Sequence, residues 1–185
     1  MSYVLRHLAS LVLLPGVVTV AVPLWIARRY RIELLPPDGM AAMLAVAAGT
    51  PVLALGIALF AASLLHFFAR GAGTLAPWDP PRRLVISGPY RYVRNPMIAG
   101  VLFVVLGEAL VLRSLSHLAW AGAFLAVNAV YIPAIEEPAL TRRFGDDYAR
   151  YRGQVRRFLP RVVPWDLTPR RDSRPPPHRA DPPEN

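Results

Sequence analysis

Apolar residues occur along this chain in long uninterrupted runs, and four of the runs approach the roughly 20 residues of helix that cross a bilayer. The predicted spans cover residues 8–27, 40–69, 96–112 and 114–135. The second run is too short for two crossings, so we predict one long or tilted helix there, bent near Pro51. Only a tight turn around Arg113 separates the last two runs, which therefore form a hairpin.

An amphipathic helix is predicted over residues 137–154, directly after the fourth run. Five apolar side chains form a single stripe at helical spacing: Leu140, Phe144, Tyr148, Tyr151 and Val155. Pro138 suits the first turn of such a helix, where its missing N–H costs nothing. Arginines flank the stripe, so the helix is expected either to lie against the membrane face or to cover the preceding loop.

The predicted fold class is all-α: an integral membrane helical bundle of about four transmembrane helices with a C-terminal amphipathic helix. We predict a single domain over residues 1–160. The loop at 71–95 is rich in Gly and Pro and is long for a compact domain, which makes it a place to expect function. Residues 161–185 are rich in Pro and Arg and are predicted to form a disordered tail.

The distribution of charge predicts the orientation. All 21 basic residues are Arg, and with the N-terminus inside, 17 of them fall on the inner side and 4 on the outer side. The positive-inside rule therefore predicts that both termini and the loop at 71–95 are cytoplasmic at the cell (inner) membrane. The group Arg28, Arg29 and Arg31 falls on the outer side and favours the opposite orientation.

Composition excludes several classes of site. Hydrophobic residues make up 54% of the chain, and the arginines lie between the apolar runs, so a bilayer is the expected partner and a nucleic acid is not. The absence of Cys excludes disulfides and a Cys nucleophile. The four His residues show no ligand spacing, so no metal is expected.

Two clusters of polar residues stand at the predicted cytoplasmic ends of the hairpin. The first lies at the start of the third span, where Pro96 can begin the helix. The unpaired N–H groups there, with Arg91 and Arg94 beside them, are suited to hold a carboxylate or another anion. The alternative is a turn whose arginines only determine topology.

The second cluster is the pair Glu136 and Glu137 at the end of the fourth span. Adjacent carboxylates there either stabilise the positive end of the next helix or recognise a cation or ribose hydroxyls. Because the spans form a hairpin, Arg94 and Asn95 must lie at the same depth as the glutamates. A ligand that carries a carboxylate, a cation and hydroxyls would fit this setting, and S-adenosylmethionine is such a ligand.

The segment 94–100, RNPMIAG, is followed by a hydrophobic hairpin and then by the two glutamates. This order resembles the R-H-P-x-Y-x-G, hydrophobic, E-E signature of the isoprenylcysteine carboxyl methyltransferases and the related phospholipid methyltransferases. The resemblance covers residues 71–161. It implies a helical membrane fold, a cytoplasm-facing S-adenosylmethionine pocket and a lipid-accessible tunnel for the acceptor. The cofactor-binding positions that it implies are Tyr90, Arg94, Asn95, Pro96, Gly100, Glu136 and Glu137.

This chain departs from the signature at two positions. Asn95 stands where the family has His, and Ile98 stands where it has Tyr, so an imidazole and a phenol hydroxyl are absent. Asn can replace a neutral His as a hydrogen-bonding group, so cofactor binding is expected to survive. Arg156 also stands where many relatives have Pro, which is a smaller change.

The resemblance implies direct displacement at the sulfonium methyl by a lipid-like or prenylated acceptor, and we expect carboxylate O-methylation. No catalytic base is predicted, and Arg91 and Arg157 are the candidates to orient an acceptor carboxylate. The alternatives are a phospholipid-type N-methyltransferase and a protein of the same fold that has lost catalysis and binds a lipid or a partner. A reductase of similar architecture would require nicotinamide binding, for which there is no phosphate-cradling glycine motif.

Four polar residues fall in or near the spans. Glu108 is expected to face the bundle interior or to extend towards the outer interface. Asn128 and Tyr131 share one face of the fourth span, where they would line an acceptor tunnel or form hydrogen bonds between helices. His66 is expected to be interfacial rather than catalytic.

Overall fold

The computed structural model describes residues 12–32, 36, 38–71 and 83–166, and every regular element in this part is helical. The α-helices are α1 (Val22–Arg29), α2 (Met40–Gly71), α3 (Pro96–Val111), α4 (Leu115–Tyr131) and α5 (Glu137–Gln154). A π-helical segment, Val12–Ala21, leads into α1, and another, Ile132–Glu136, joins α4 to α5. A 3₁₀ turn, Gly88–Arg91, precedes α3.

The described helices agree closely with the apolar runs. The second run is a single helix with Pro51 inside it, and the third run begins at Pro96 as predicted. The first run is helical from Val12 to Arg29, and its residues 8–11 lie outside the described part. The predicted amphipathic segment is α5, which continues from α4 without a break in helical structure.

Two helices in the described part are long and apolar enough to cross a membrane. They are Met40–Arg70 and the continuous helix Leu115–Gln154, whose apolar portion ends at Ile135. Only 17% of the apolar stretch in each is buried inside the protein, whereas the core helix of a soluble protein is mostly buried. The third apolar helix, α3, has 16 residues. Long apolar helices with outward-facing surfaces indicate an integral membrane protein.

Helices α2 and α3 pack antiparallel along a seam of glycines. A Cβ atom on Gly107 would lie 2.6 Å from the backbone of Leu53, and one on Gly56 would lie 2.5 Å from the backbone of α3. At the other end of the seam, a Cβ atom on Gly100 would lie 2.7 Å from the backbone nitrogen of Phe60. Close backbone contact through small residues is how helices associate in lipid, where no hydrophobic drive exists between them. Gly100 therefore has a packing role that fixes the start of α3 against α2.

The turn between α3 and α4 is as short as the sequence predicts. Arg113 adopts a φ of 52°, which reverses the chain direction, and Ser114 caps α4 by accepting the N–H of His117 at 3.3 Å. The same hydroxyl lies 2.9 Å from Nδ1 of His117. This capping arrangement holds α3 and α4 together as a hairpin.

Side chains of α4 anchor the N-terminal helix. The Nε2 atom of the buried His117 lies 3.2 Å from the carbonyl oxygen of Pro23, and the indole N–H of Trp120 donates to the carbonyl of Val18 at 3.0 Å. In the π-helical register the partner of Val18 would be Pro23, which has no N–H. The indole therefore satisfies a carbonyl that proline leaves free.

The polar residues in the helices have different surroundings. Asn128 is 8% exposed, as expected for a residue that faces the interior, and its amide donates to the carbonyl of Phe124 in its own helix at 2.8 Å. Tyr131 is 40% exposed. The Oε2 atom of Glu108 is buried and has no hydrogen-bond partner within the described residues.

The glycine seam predicts a specific loss of stability. In Gly56→Ala, the added Cβ would lie 2.5 Å from the backbone nitrogen of Val104, so the two helices must move apart. Overpacking of this kind costs about 1–3 kcal/mol, which lowers the Tm by roughly 5 °C in a chain of this size. Gly122→Ala is the matched control, because nothing lies within 4 Å of that Cβ position. Thermal unfolding in detergent measures the Tm of both variants. Equal Tm values would show that close backbone contact at Gly56 does not contribute to stability.

Candidate functional site

The carboxylate of Glu137, in the first turn of α5, lies at the centre of the candidate site. Its Oε1 atom is 2.9 Å from Nη1 of Arg94 and 2.7 Å from Nε of Arg157, and its Oε2 atom is 4.0 Å from Nη1 of Arg152. The side chains of Glu137 and Arg94 are only 7% and 9% exposed, so their attraction is weakly screened. This contact brings one residue from each of the two polar clusters together, as the hairpin predicts.

The two adjacent glutamates have opposite electrostatic environments. Burial alone would raise the pKa of Glu137, but the hydrogen bond from Arg157 and the charges of Arg94, Arg157 and Arg152 hold that pKa below its usual value. Burial and the charge of Glu137 raise the pKa of Glu136, and the nearby arginines do not offset this. Within the described residues, Glu136 forms no ion pair. Glu137 is therefore committed to its arginines, while the carboxyl of Glu136 is available to a ligand.

A bend in α5 brings a second group to Arg94. Gly145 adopts φ 53° and ψ −129°, a conformation that residues with a Cβ rarely adopt. On a straight helix, Glu137 and Tyr148 would be about 16 Å apart along the axis, too far to share one guanidinium nitrogen. Because of the bend, the Tyr148 hydroxyl accepts a hydrogen bond from Nη1 of Arg94 at 3.3 Å.

The apolar stripe of α5 covers the loop before α3, which decides between the two predicted placements. Tyr148, Tyr151 and Val155 are buried together, and five partly buried side chains pack against them: Leu84, Ile86, Leu140, Phe144 and Trp165. The hydroxyl of Tyr151 donates to the carbonyl of Tyr90 at 2.6 Å. This contact fixes the 3₁₀ turn that carries Tyr90. Burial and then the charge of Glu136 raise the pKa of Tyr90, so its phenol stays protonated.

Residues 155–166, which we call the strap, return from α5 alongside the loop. Four backbone N–H groups donate across to carbonyls, at 2.9 to 3.4 Å: Arg94 to Arg156, Asn95 to Arg157, Arg161 to Tyr92 and Trp165 to Arg91. The predicted disordered tail was placed from residue 161, but residues 161–166 belong to this paired segment. Residues 167–185 lie outside the described part.

The two arginines that were candidates to orient an acceptor have different partners. The guanidinium of Arg91 pairs with the carboxylate of Asp166 and donates through Nε to the carbonyl of Trp165 at 3.4 Å. Arg157 instead contacts Glu137 within the site, and its side chain is 29% exposed. Arg91 therefore fastens the strap, whereas Arg157 stands at the edge of the site. A role of either in orienting an acceptor stays a prediction.

Two buried donors in the site have no hydrogen-bond partner among the described residues: Nε of Arg94 and Nδ2 of Asn95. Asn95 is the N-cap residue of α3, but its side chain does not cap the helix. A buried unsatisfied donor costs about 1–3 kcal/mol, so neighbouring donors of this kind point to a ligand that accepts from them. A carboxylate at the N-terminus of α3, beside Pro96, fits this requirement.

His66 connects α2 to the turn that carries Tyr90. Its Nδ1 atom is 3.2 Å from the hydroxyl of the buried Ser87, and its ring lies against Gly88, where a Cβ would come within 2.3 Å. Gly88 also adopts a φ of 54°. The sequence interpretation of His66 as an interfacial residue did not reveal this contact. The sequence analysis also did not identify the hydroxyl of Tyr148 as part of the site, because the apolar stripe of α5 is sufficient to explain a tyrosine at that position.

The unequal environments of the glutamates predict unequal effects on stability. Glu137→Gln leaves Arg94 buried without a counter-charge, which costs about 3–5 kcal/mol and lowers the Tm by about 10 °C at pH 7. Glu136→Gln removes a carboxylate whose ionisation is opposed by burial, so its Tm is expected to equal or exceed that of the wild type. Asp147→Asn, which alters an exposed carboxylate of α5, is the control. A smaller loss for Glu137→Gln than for Glu136→Gln would contradict this assignment.

The same contacts predict a pH dependence. Because the folded-state pKa of Glu137 is lowered, its stabilising effect is complete above the ordinary carboxyl pKa of about 4.3 and is lost as the pH falls below it. The Tm difference between wild type and Glu137→Gln should therefore shrink between about pH 5 and pH 3. A series of thermal unfolding curves across this range measures it. A difference that stays constant would show that the ion pair is not the source of the stability.

Comparison with known proteins identifies a family for most of the described chain. A family model described as phospholipid methyltransferase matches residues 44–147, more than half of the chain. The matched region runs from α2 through the loop and the hairpin into α5, and it includes every predicted cofactor-binding position. No curated protein and no solved structure gives a significant match. The chain belongs to the phospholipid methyltransferase family.

Proposed function

We propose that this protein is an S-adenosylmethionine-dependent methyltransferase that methylates a lipid-like or prenylated acceptor at the membrane. Membership of the phospholipid methyltransferase family supports a methyltransferase activity. The observation that carries the choice of cofactor is the pair of buried donors on Arg94 and Asn95, which, like the carboxyl of Glu136, have no partner among the described residues. Together they complement a ligand that carries a carboxylate at one end and hydroxyls or a cation at the other.

Each predicted cofactor position has a proposed task. Arg94 and Asn95 would lie at the carboxylate end of the cofactor, and Glu136 would accept hydrogen bonds from the ribose hydroxyls or the ammonium group. Tyr90 keeps its proton and can donate a hydrogen bond. Glu137 would act through Arg94. Pro96 and Gly100 would shape the adjoining wall, since the first begins α3 and the second lets α3 approach α2.

The proposed chemistry needs positioning more than acid–base help. When bound, the cofactor supplies an electrophilic methyl group on a sulfonium, and a carboxylate acceptor is already an adequate nucleophile. The protein then aligns the reactants and excludes water, and alignment alone contributes about 7–11 kcal/mol. Here the strap and the apolar stripe of α5 pack against the loop that carries Tyr90 and Arg94. No described residue is proposed as a general base.

The charges around the site favour an anionic acceptor. Three guanidinium groups, those of Arg94, Arg152 and Arg157, surround the carboxylate of Glu137, and the charges of Arg157 and Arg94 also act on Glu136. The side chains of Arg152 and Arg157 are 55% and 29% exposed, so an arriving molecule can reach them. Such a positive rim attracts a carboxylate and disfavours an ammonium group. This supports carboxylate O-methylation, with Arg157 as the residue that orients the acceptor.

A second candidate is N-methylation of a phospholipid amine, which the description of the matched family favours. A zwitterionic head group also carries a phosphate, which the exposed arginines could bind.

The third possibility is a member of the family that binds a lipid without turnover. Retained cofactor binding with no detectable methylated product would favour it. The departures at Asn95 and Ile98 are the sequence features that favour it.

The membrane arrangement that we propose has four spans, formed by the N-terminal helix, α2, α3 and α4. Both termini and the site would face the cytoplasm at the cell (inner) membrane. The inner side would then carry 17 of the 21 arginines, which supports this orientation. It would also place Arg94 and Glu136 at the level of the head groups, where a lipid-like acceptor and a water-soluble cofactor can meet.

Calorimetric titration with S-adenosylhomocysteine tests the cofactor. The purified wild-type protein in detergent is expected to bind it, and Glu136→Ala is expected to weaken binding at least about tenfold, because a carboxylate that accepts hydrogen bonds is lost. Asp147→Ala, on the exposed side of α5, should bind as the wild type does. No binding at millimolar ligand, or equal binding by Glu136→Ala, would reject the proposal.

Alkali treatment of labelled product distinguishes the two acceptor chemistries. Incubation with methyl-labelled cofactor and a membrane lipid extract should give a product whose label is released as volatile methanol by base, since methyl esters hydrolyse and N-methyl groups do not. Arg157→Ala should reduce this product more than Arg143→Ala, whose side chain lies on the exposed surface of α5. A base-stable product would favour the N-methyltransferase.

A further inference from the structure

We infer that Tyr148 is a positioning residue for Arg94, and that the Nε of Arg94 and the amide nitrogen of Asn95 together form the subsite for the carboxylate of the bound ligand. The inference rests on the proposed function, because the ligand in question is the cofactor. The resemblance to the family implies that Arg94 and Asn95 are cofactor-binding positions without saying which of their atoms bind. The apolar stripe of α5 requires only the ring of Tyr148 and not its hydroxyl.

The orientation of Arg94 is fixed at one of its three nitrogens. Nη1 donates to Oε1 of Glu137 at 2.9 Å and to the hydroxyl of Tyr148 at 3.3 Å. A guanidinium is planar, so two acceptors at Nη1 restrain the direction in which the remaining N–H groups point. Nε is left buried and without a partner among the described residues, on a side chain that is only 9% exposed. The contacts of Nη1 with Glu137 and Tyr148 therefore orient Arg94 and leave its Nε donor available to a ligand.

The second donor belongs to the next residue. Nδ2 of Asn95 is also buried without a partner in the described part of the chain, at the N-terminus of α3. The strap holds the backbones of both donors, because the N–H groups of Arg94 and Asn95 donate to the carbonyls of Arg156 and Arg157. Two buried donors on adjacent residues at the start of α3 are the groups from which the two oxygens of a carboxylate accept.

Tyr148 reaches Arg94 only because α5 bends at Gly145. Nothing lies within 4 Å of the position of a Cβ atom on Gly145, so the requirement for glycine there comes from its φ of 53° and not from lack of space. A Cβ at this position should straighten the helix and withdraw Tyr148 from Arg94. Gly153 in the same helix also has open space but no positive φ, which makes it a matched control.

The test compares two ligands that differ in the carboxylate. S-adenosylhomocysteine carries the amino-acid group, and 5′-methylthioadenosine lacks it. Tyr148→Phe removes only the hydroxyl and is expected to weaken S-adenosylhomocysteine binding by about tenfold while changing 5′-methylthioadenosine binding less than about twofold. Asn95→Asp, which replaces the donor by a negative charge, should show the same selectivity with a larger loss. Calorimetry on the full-length protein in detergent measures both ligands.

Gly145→Ala should reproduce the selective loss, and Gly153→Ala should bind both ligands as the wild type does. If Gly145→Ala does not fold, Tyr148→Phe decides the question alone. Unchanged S-adenosylhomocysteine affinity in Tyr148→Phe, or equal weakening of both ligands, overturns the inference and leaves the proposed function standing. A wild-type protein that binds neither ligand overturns the proposed function as well.

Discussion

The arrangement of the candidate site depends on one buried carboxylate, that of Glu137, which Arg94 and Arg157 share through a single oxygen. The three residues come from the loop before α3, from the first turn of α5 and from the strap. Because a buried charge cannot be left without a partner at low cost, these three segments are held at one place. The strap adds backbone hydrogen bonds to the same loop, so the ion pair and the strap support each other.

The glycine seam between α2 and α3 fixes the start of α3, where part of the candidate site lies, against α2. It brings two backbones into contact at Gly56, Gly100 and Gly107, and it leaves most of the apolar surface of α2 facing outward. In water such a surface would be a liability, but in lipid it is the ordinary condition of a membrane helix. The loop that carries Tyr90 is tied to α2 through His66, so the seam also limits how far that loop can move.

The two glutamates illustrate why identical neighbours can have different tasks. Their pKa values move in opposite directions, because hydrogen bonds and arginine charges outweigh burial at Glu137 and do not at Glu136. A paired, ionised carboxylate is suited to hold Arg94 in place, and the carboxyl of Glu136, which has no ion pair in the described part of the chain, is suited to receive a ligand. In the sequence the residues are equivalent, since both follow the apolar run and precede Pro138.

The sequence by itself determined the helical class, the positions of α2 and α3, the hairpin and the meeting of Arg94 with Glu137. These follow from local properties, namely the length of apolar runs and the reach of a tight turn. Only the tertiary structure decided that Gly145 bends α5, that Tyr148 reaches Arg94, that Arg91 pairs with Asp166 and that the strap pairs with the loop before α3. Hydrophobic periodicity records which face of a helix is buried. It does not record a change of direction within the helix or the partner of a polar atom, because both depend on segments far apart in the chain.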